Sequence, residues 1–398
     1  MEFTFDADQE ALRAGVRSFL AAESPTSAVR AGLDAGAGVD EALWDRIVEL
    51  GWTGLLVPEG QGGLGLGMVD LVVVAEEMGR IPFPGPYFSS AVLATLAARR
   101  LGLDDRLSSL AAGATRGTVA LDELGHGDPV DRVRSRAVRT GGRWQLSGLK
   151  PVVPDGDSAD WALVVARTQS GLGTFVVEAP AGEPVPSWDP TRRLARLALD
   201  GRAAAPVGPD GDHTSLWRRI ADDASVALCA ELVGASEQAY TLAVDYAKAR
   251  VQFGRPIATF QAIKHKAADM LHRLELSRVG THYAAWTSDA ESGARAEAAA
   301  MAASYVAESA NAVCAESIQI HGGVGFTWDC DAHLFYRRAK QNDLLLGYSG
   351  WQRQHQVGQG DMAAVLSFCH DDIVFHVPEK APFSGDHTKA GFGEFIGR

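Results

Sequence analysis

Two short segments of the chain hold residues whose types and spacing suit a charged, flat ligand. In the first, Arg250 closes a long helical pattern, Gly254 and Pro256 break it, and a second helix is predicted to begin near Thr259. A guanidinium can hold a pyrophosphate by paired hydrogen bonds. The amide of Gln261 and the opening N–H groups of the second helix add further donors. The segment predicts an anion-binding bend in a helical hairpin.

The second segment, QIHGGVG, begins at Gln319. Gly322, Gly323 and Gly325 interrupt a helix there, and glycines let the backbone come close to a ligand. Taken singly, each segment is also explained by an ordinary helix end, with an exposed Arg in one case and a glycine cap in the other. The two together predict two ligand-binding corners on a helical scaffold.

Composition limits the classes of partner. The 398 residues are 46% hydrophobic, enough for two or three domains with a real core. The net charge is −13 and there is no block of basic residues, which argues against nucleic acid or an anionic membrane as the main partner. The first twenty residues are acidic and amphipathic, unlike a signal peptide, and we find no run of about 18 apolar residues. We therefore expect a cytoplasmic protein.

The sequence predicts no metal site. Its cysteines, Cys229, Cys314, Cys330 and Cys369, are widely spaced without a C-x-x-C pair, so we expect buried thiols rather than zinc ligands or disulfides. Three histidines follow one predicted helix, but no carboxylate or cysteine completes a ligand set.

The elements that must position the two corners change character along the chain. Helical patterns give way to short alternating runs that predict an antiparallel β domain, and then to helices long enough for an antiparallel bundle. The predicted domains are an N-terminal helical domain (1–117), a middle β-barrel domain (118–213), a C-terminal helical bundle (214–356) and a short tail (357–398).

The order R-x-x-F-G-x-x-I-x-x-F-Q, a long helix, then Q-x-x-G-G-x-G-F resembles the C-terminal domain of flavin-dependent acyl-CoA dehydrogenases. The resemblance extends over residues 1 to about 356. It implies a mainly α fold with a central β domain, namely an N-terminal α-helical domain, a middle β-barrel that holds the flavin ring and a C-terminal four-helix bundle. In that family the two segments reach across a subunit interface to the ADP half of a neighbour's FAD. The resemblance thus implies these FAD-binding residues: Arg250, Gln252, Phe253, Gln261, Gln319, Gly322 and Gly323.

The middle domain departs from the family where the flavin ring would bind. The family has an aromatic-hydroxyl-acidic-Pro stretch ending in Gly-Ser, whereas this chain has LDELGHGDPVDRV at Leu121–Val133. Val152, Val153 and Pro154 replace a Trp-Ile-Thr of the family, and proline has neither an N–H nor a hydroxyl to donate. We therefore expect the ring contacts within one chain to be largely missing.

The family's catalytic base is also missing. In the family a carboxylate removes the α-proton of an acyl-CoA while a hydride passes to the flavin. The usual Glu, six residues after the lysine of R-x-A-K, is replaced by Leu346 or Gly347, and an alternative slot on the bundle's first helix holds Ala224. Asp222 and Asp223 lie beside that slot, but a one-residue shift turns a helical side chain by about 100°. We do not expect them to be the base, and the catalytic residue stays unassigned.

The retained and missing residues together predict one subunit of a heteromeric acyl-CoA dehydrogenase. Paired subunits of this type resemble the chain, with one supplying the base and the flavin cavity and the other completing the ADP pocket. The implied partners are an acyl-CoA substrate, an electron-transfer flavoprotein and another acyl-CoA dehydrogenase subunit. Two alternatives stay open: a homo-oligomer with an unusual base, and a catalytically inactive structural or acyl-CoA-binding subunit.

The tail resembles the opening helix and strand of the SnoaL-like cone fold and then stops. About forty residues cannot bury enough apolar surface to fold independently. Asp372 and His376 could form the acid–base pair of such a cone, but a truncated cone has no pocket.

Overall fold

The computed structural model describes residues 5–35, 40–123, 125, 128–345, 374–377 and 385–388, the last two ranges as backbone. The chain divides into two compact units, residues 1–350 and 351–398. The first unit contains helices, then β strands, then long helices, in the predicted order. The predicted boundaries at 117, 213 and 356 stay predictions.

The N-terminal part of the first unit is helical. Its helices are α1 (Ala7–Glu23), α2 (Thr26–Asp34), α3 (Glu41–Glu49), α4 (Met68–Gly79), a π-helix (Tyr87–Ala94), α5 (Thr95–Leu101) and α6 (Asp104–Ala111). Helix α1 begins at Ala7 because Asp6 and Gln9 form a reciprocal capping box there. Helix α4 and the π-helix are almost wholly buried, so this part is built around them.

The middle part is a closed sheet with a smaller one beside it. The strands are β1 (Gly117–Ala120), β2 (Arg136–Thr140), β3 (Arg143–Ser147), β4 (Leu149–Pro154), β5 (Trp161–Thr168), β6 (Gly171–Glu178), β7 (Glu183–Val185), β8 (Leu194–Ala198) and β9 (Arg202–Val207). Strands β5, β2, β3, β9 and β6 close into a ring because β6 pairs back onto β5. Strands β4, β8 and β7 form the second sheet.

The prediction of a purely antiparallel β domain is wrong at one strand. Strand β5 is antiparallel to β6 but parallel to both β1 and β2. Parallel neighbours need a long connection rather than a tight turn. The chain makes that connection between β1 and β5 through three intervening strands, which local alternation could not reveal.

The C-terminal part is a bundle of α7 (Thr214–Ala249), α8 (Gln261–Asp289), α9 (Arg295–His321) and α10 (Ala332–Leu344). Helix α7 crosses α4 at two glycines. A Cβ on Gly234 would lie 1.8 Å from the Glu76 carbonyl oxygen, and one on Gly79 would lie 2.0 Å from that of Glu231. The two backbones therefore touch, and this contact joins the N-terminal helices to the bundle.

In the second unit the structure describes two short strands, β12 (Val374–Val377) and β13 (Gly385–Thr388), paired antiparallel. His376 lies in β12, opposite Asp386, while Asp372 lies outside the described residues. The resemblance of the tail to a cone fold stays a prediction.

Candidate functional site

The bend after α7 is a β-hairpin rather than a simple helix break. Val251–Gln252 (β10) pairs with Arg255–Pro256 (β11), and Phe253 and Gly254 form the two-residue turn. A 3-10 turn over Ile257–Thr259 then precedes α8, which begins at Gln261, close to the predicted start near Thr259. The hairpin therefore sets the distance between the end of α7 and the start of α8.

Phe253 has an unusual conformation in this turn. Its φ is 54° and that of Gly254 is 77°, as a turn with two left-handed residues requires. A bulky side chain is strained there. Even so, Phe253 is 92% exposed, and its ring meets that of Phe260 edge-on, with ring centroids 6.1 Å apart. A strained, exposed aromatic residue is typical of a position kept for contact with another molecule.

The structure brings the two predicted segments to the same end of the bundle. The ring of Tyr246, near the end of α7, lies 4.5 Å from the ring of His321 at the end of α9. The Ser317 hydroxyl on α9 donates to the Ala239 carbonyl on α7 at 2.7 Å. Packing between α7 and α9 therefore holds the hairpin and the glycine segment together. We call this region the bundle corner, defined by Arg250–Gln261 and Gln319–Phe326.

The glycine segment ends a helix after Gln319, as predicted. Helix α9 continues past Gln319 to His321, and a 3-10 turn follows over Gly322–Phe326. Gly322 has a φ of 64°, and a Cβ on it or on Gly323 would meet no other atom within 4 Å. A Cβ on Gly325, by contrast, would lie 2.5 Å from the Ile318 carbonyl oxygen, so this glycine serves packing. Gly322 and Gly323 face open space, where a ligand could approach the backbone.

Three polar side chains of the bundle corner are uncommitted within the described residues. Arg250, Gln261 and Gln319 are exposed, and within the part of the chain that the structure describes their side chains form no hydrogen bond or ion pair. Gln252 only reaches back to the carbonyl of Val251 at 2.8 Å. A guanidinium, free amides and open glycine backbone are the donor set that an ADP group needs. The bundle corner thus fits the ADP half of FAD, and the assignment of these residues stays a prediction.

The stretch beside the expected flavin ring is already committed to internal contacts. Lys150 is fully buried, and its Nζ donates to the Leu121 carbonyl at 3.1 Å and to Glu123 at 2.6 Å. Burial lowers the pKa of Lys150 to about 8, although Glu123 opposes that shift. Arg132 donates to Asp122 at 2.6 Å. These charged side chains are therefore paired with one another inside the chain.

The replaced Trp-Ile-Thr segment is equally closed. Val153 and Pro154 are buried, and the Pro154 carbonyl accepts a hydrogen bond from the Thr118 hydroxyl. Asp128, at the far end of the stretch, accepts from Arg218 at 2.9 Å. An isoalloxazine ring needs hydrogen-bond donors and acceptors that are still available. The described residues on this side do not fit it.

The side chains at the positions considered for the catalytic base do not suit that role. Leu346 and Gly347 lie outside the described residues, and Ala224 is fully buried. Asp222 lies 3.4 Å from Arg295, and burial raises its pKa to about 7. Asp223 accepts from the Ser288 hydroxyl at 2.8 Å. The catalytic base of the reaction remains unassigned in this chain.

A buried ion cluster was missed by the sequence reasoning. Arg338 on α10 bonds Glu231 on α7 and Asp189 in the β7–β8 connection, and Arg192 also bonds Glu231. The available signal was Glu231 itself, a single carboxylate in the apolar run SVALCAELVGA. Its partners are far apart in sequence, so no local pattern could identify them.

Two exclusions apply to the described residues. No group of three or more histidine, cysteine or carboxylate side chains among them could hold a metal ion, and no helix there is long and apolar enough to cross a membrane. Cys229, Cys314 and Cys330 are free and buried, as predicted, and Cys369 lies outside the described residues.

Comparison with known proteins identifies the family. "Acyl-CoA dehydrogenase, N-terminal domain" matches residues 6–104, and "Acyl-CoA dehydrogenase, C-terminal domain" matches residues 221–357. Acyl-CoA dehydrogenase IpdE2 of Mycobacterium tuberculosis is 35% identical over 342 residues, which cover 85% of this chain and 93% of that protein.

Solved structures agree in fold. A variant of the Tcur3481–Tcur3483 steroid ACAD is 31% identical with a TM-score of 0.80, covering 90% of this chain and 99% of that one. The ChsE4–ChsE5 complex of Mycobacterium tuberculosis is 29% identical with a TM-score of 0.81, covering 91% and 99%. The predicted fold class and the predicted enzyme class are confirmed. The chain belongs to the acyl-CoA dehydrogenase family, flavoprotein oxidoreductases that act on acyl-CoA.

Proposed function

We propose that this chain is the ADP-binding partner in an acyl-CoA dehydrogenase built from two dissimilar chains. Its bundle corner completes the FAD site of a neighbouring chain, and the assembly desaturates an acyl-CoA between Cα and Cβ. The electrons then pass to an electron-transfer flavoprotein. The observation that carries the proposal is the bundle corner, where three polar side chains and two open glycines have no partner among the residues that the structure describes.

Relatives with paired chains support the proposal. The ChsE4–ChsE5 complex and the Tcur3481–Tcur3483 steroid ACAD each combine two differently named chains, and this chain matches one chain of each over about nine tenths of its length. The departures at the flavin ring and at the base are those expected of a chain that relies on a neighbour for both.

The residues of the bundle corner would each contact a different part of the ADP group. Arg250 would hold the pyrophosphate by paired hydrogen bonds, and the first N–H groups of α8 would add the favourable end of the helix dipole. Gln261 and Gln319 would bond ribose or adenine edges, and Gly323 would admit the backbone to close contact. Phe253 would cover the ligand and exclude water.

Bound FAD would supply the hydride acceptor for the reaction. The α-proton must be removed on the opposite face of the Cα–Cβ bond by a carboxylate. Because Ala224 occupies one position and Leu346 or Gly347 the other, that carboxylate belongs to the neighbouring chain. The role of this chain is to orient the flavin by its ADP end.

Substitution of Arg250 tests the proposal. Arg250→Ala removes a charge-assisted contact, and its loss should weaken flavin binding by about 2–4 kcal/mol. Arg250→Lys should restore only part of the affinity, because an ammonium cannot form the fork. The measurement is flavin absorbance per chain after gel filtration of the assembled complex. Arg196→Ala, which removes an exposed arginine of the small β sheet, is the matched control.

The outcomes separate the alternatives. Unchanged flavin in Arg250→Ala, with the complex intact, contradicts the proposed role of the bundle corner. Yellow colour and turnover by this chain alone, assayed with acyl-CoAs from short chains to steroid side chains, would establish a homo-oligomer with an unusual base. Absence of flavin with every partner would indicate an inactive subunit.

A further inference from the structure

Three exposed aromatic side chains and one arginine form a group on the surface. Trp188 in the β7–β8 connection is 68% exposed, and Phe326 and Trp328, at the end of the glycine segment, are 77% and 60% exposed. The guanidinium of Arg337 on α10 lies 5.1 Å from the ring centre of Trp328 and donates to the Trp188 carbonyl at 3.1 Å. Single exposed apolar residues need no explanation, whereas a group of them marks a contact surface. We call these four residues the aromatic face.

The Trp328 end of the aromatic face is held by α2 and α10. Arg30 on α2 donates to the Trp328 carbonyl and pairs with Asp331, just before α10. The ring of His333 on α10 meets the Trp328 ring edge-on, with ring centroids 4.6 Å apart. The indole is therefore fixed at its base while most of its surface stays in solvent.

The two neighbours of Trp188 are anchored inside the chain. Ser187 donates to the Gln341 side chain on α10 at 2.9 Å, and Asp189 pairs with the buried Arg338. A surface whose backbone is already fixed loses little conformational entropy when a partner binds. The aromatic face is therefore preorganised for contact at both of its ends.

The charge left free on the aromatic face is positive. Within the described residues, Arg337 has no ion pair and Lys340 only lies over the ring of Tyr336, with its Nζ 5.6 Å from the ring centre. One exposed carboxylate in the same stretch, Asp329, is also without an ion pair there. Burial and the nearby arginines lower the pKa of His333, which is therefore neutral at pH 7. Two cations against one anion suit a partner that supplies carboxylates.

Two observations identify the occupant of the aromatic face. In a two-fold contact between copies of this chain, the face would meet itself and bring its excess positive charge against an equal one, which is unfavourable. A different chain can instead present carboxylates. Phe326 also belongs to the bundle corner, so the aromatic face continues directly from the region proposed to reach a neighbour's FAD. A chain seated at the bundle corner would therefore meet the aromatic face as well.

We infer that the aromatic face docks an acidic surface of the chain whose FAD site the bundle corner completes, with apolar recesses for the two indoles and a carboxylate for Arg337. The identity of that partner rests on the proposed function. Tryptophan and arginine are among the residues that most often dominate the binding energy of interfaces. The aromatic face then supplies most of the affinity between the two chains, while the bundle corner holds the cofactor.

The dissociation constant of the assembled complex tests this division. Trp188→Ser removes an exposed ring and should weaken assembly about tenfold, while urea unfolding of the isolated chain stays unchanged. Arg337→Glu reverses the charge and should weaken assembly about a hundredfold, and Arg337→Lys should retain part of the affinity. Sedimentation equilibrium of the two purified chains measures each constant. Arg139→Glu, at an exposed position of β2, is the matched control and should bind as the wild type does.

Ionic strength gives an independent readout. The dissociation constant of the wild type should rise several-fold between about 50 and about 300 mM KCl, and Arg337→Ala should reduce this dependence because it removes the charge. Equal salt dependence in the two would overturn the pairing of Arg337 with a carboxylate.

Oxidation of the indoles by N-bromosuccinimide, followed by peptide mass spectrometry, shows whether the aromatic face is free before assembly. Trp188 and Trp328 should react rapidly in the full chain alone and about fivefold more slowly in the complex, where a partner excludes solvent. Trp161, which is fully buried, should be unreactive in both. Equal rates in the two states would overturn the inference. Protection in the chain alone would also overturn it, because this chain would then cover the face itself.

These results separate the inference from the proposed function. Loss of assembly in Trp188→Ser, with full flavin content in the Arg250→Ala complex, supports the aromatic face and contradicts the role of the bundle corner. Normal assembly in Trp188→Ser and Arg337→Glu, with loss of flavin in Arg250→Ala, overturns the inference and leaves the proposed function intact. Self-association of this chain, or binding to phosphatidylglycerol vesicles, that the first two variants abolish would assign the face to another occupant and overturn the inference as well.

Discussion

The bundle corner and the buried ion cluster around Arg338 use their polar groups in opposite ways. At the bundle corner, Arg250 and Gln261 are exposed and have no side-chain partner within the described residues. In the buried ion cluster, Arg338 bonds four different groups inside the chain. Polar groups satisfied internally stabilise the fold, whereas unsatisfied ones are available to a second molecule. The difference indicates which region serves this chain and which serves another.

The largest expected effect is on the free energy of unfolding, when the buried ion cluster loses Arg338. Arg338→Ala leaves Asp189 and Glu231 buried without their main cation, so the free energy of unfolding should fall by about 3–5 kcal/mol. Arg250→Ala, which removes an equally large side chain from the bundle corner, should change it by less than about 0.5 kcal/mol. Urea unfolding of both variants measures the contrast. Similar losses in the two would abolish the distinction between the regions.

The next largest effect is expected on the pH dependence of the free energy of unfolding, and it comes from a buried carboxylate on α7. Burial raises the pKa of Asp222 to about 7, so the folded chain holds a proton that the unfolded chain loses near pH 4. The free energy of unfolding should therefore fall as pH rises from about 4 to 7, by roughly 2–4 kcal/mol, and then level off. Glu231 acts with the opposite sign and mainly below about pH 5, because its pKa is lowered on folding and its contribution to stability is lost as the pH falls.

Asp222→Asn should flatten this slope. Asp200→Asn, in an exposed turn, is the control and should keep the slope of the wild type. The measurement is urea unfolding at a series of pH values. An unchanged slope in Asp222→Asn would show that this carboxylate does not hold the extra proton.

A third prediction concerns the turn of the hairpin. Asparagine tolerates the left-handed conformation, and Asn-Gly is the preferred pair for such a turn. Phe253→Asn should therefore raise the free energy of unfolding of the isolated chain by about 1 kcal/mol, because the exposed ring contributes little packing. The same variant should lower the flavin content of the assembled complex. A loss of stability would mean that the ring is needed within the chain.

The smallest effect on stability is expected at Gly323. A Cβ there meets nothing in the chain, so Gly323→Ala should change the free energy of unfolding by less than about 0.5 kcal/mol. Flavin occupancy of the complex should nevertheless fall, because the methyl group stands where the ligand comes close to the backbone. Gly325→Ala is the matched opposite, since its Cβ would clash with a carbonyl and reduce stability. Full flavin occupancy in Gly323→Ala would contradict close approach at this position.

The sequence predicted the elements better than their contacts. The long helical patterns of α7, α8 and α9 predicted the bundle. The hairpin was not predicted, because no turn preference favours Phe253 with a positive φ. In the long helices the local sequence pattern agrees with the observed structure, whereas at Phe253 the conformational preference of the residue opposes it.

Contacts between distant segments were beyond such reasoning. Arg338 and Glu231 are 107 positions apart, and the pairing depends on how α7 and α10 pack. The absence of flavin-ring contacts stays a prediction, which rests on Pro154 because proline lacks a donor whatever its surroundings. The internal pairing of Lys150 with Glu123 could not be predicted, since the partner of a buried charge depends on the folded chain as a whole.

The glycine crossing of α4 and α7 limits how this sequence can evolve. Gly79 and Gly234 each touch the other helix's backbone so closely that even a methyl group would overlap a carbonyl oxygen. Any amino-acid change at either codon adds at least that methyl group. In descendants of this sequence the ligand-contacting residues of the bundle corner could drift with a changing partner, while these two glycines would have to be inherited together.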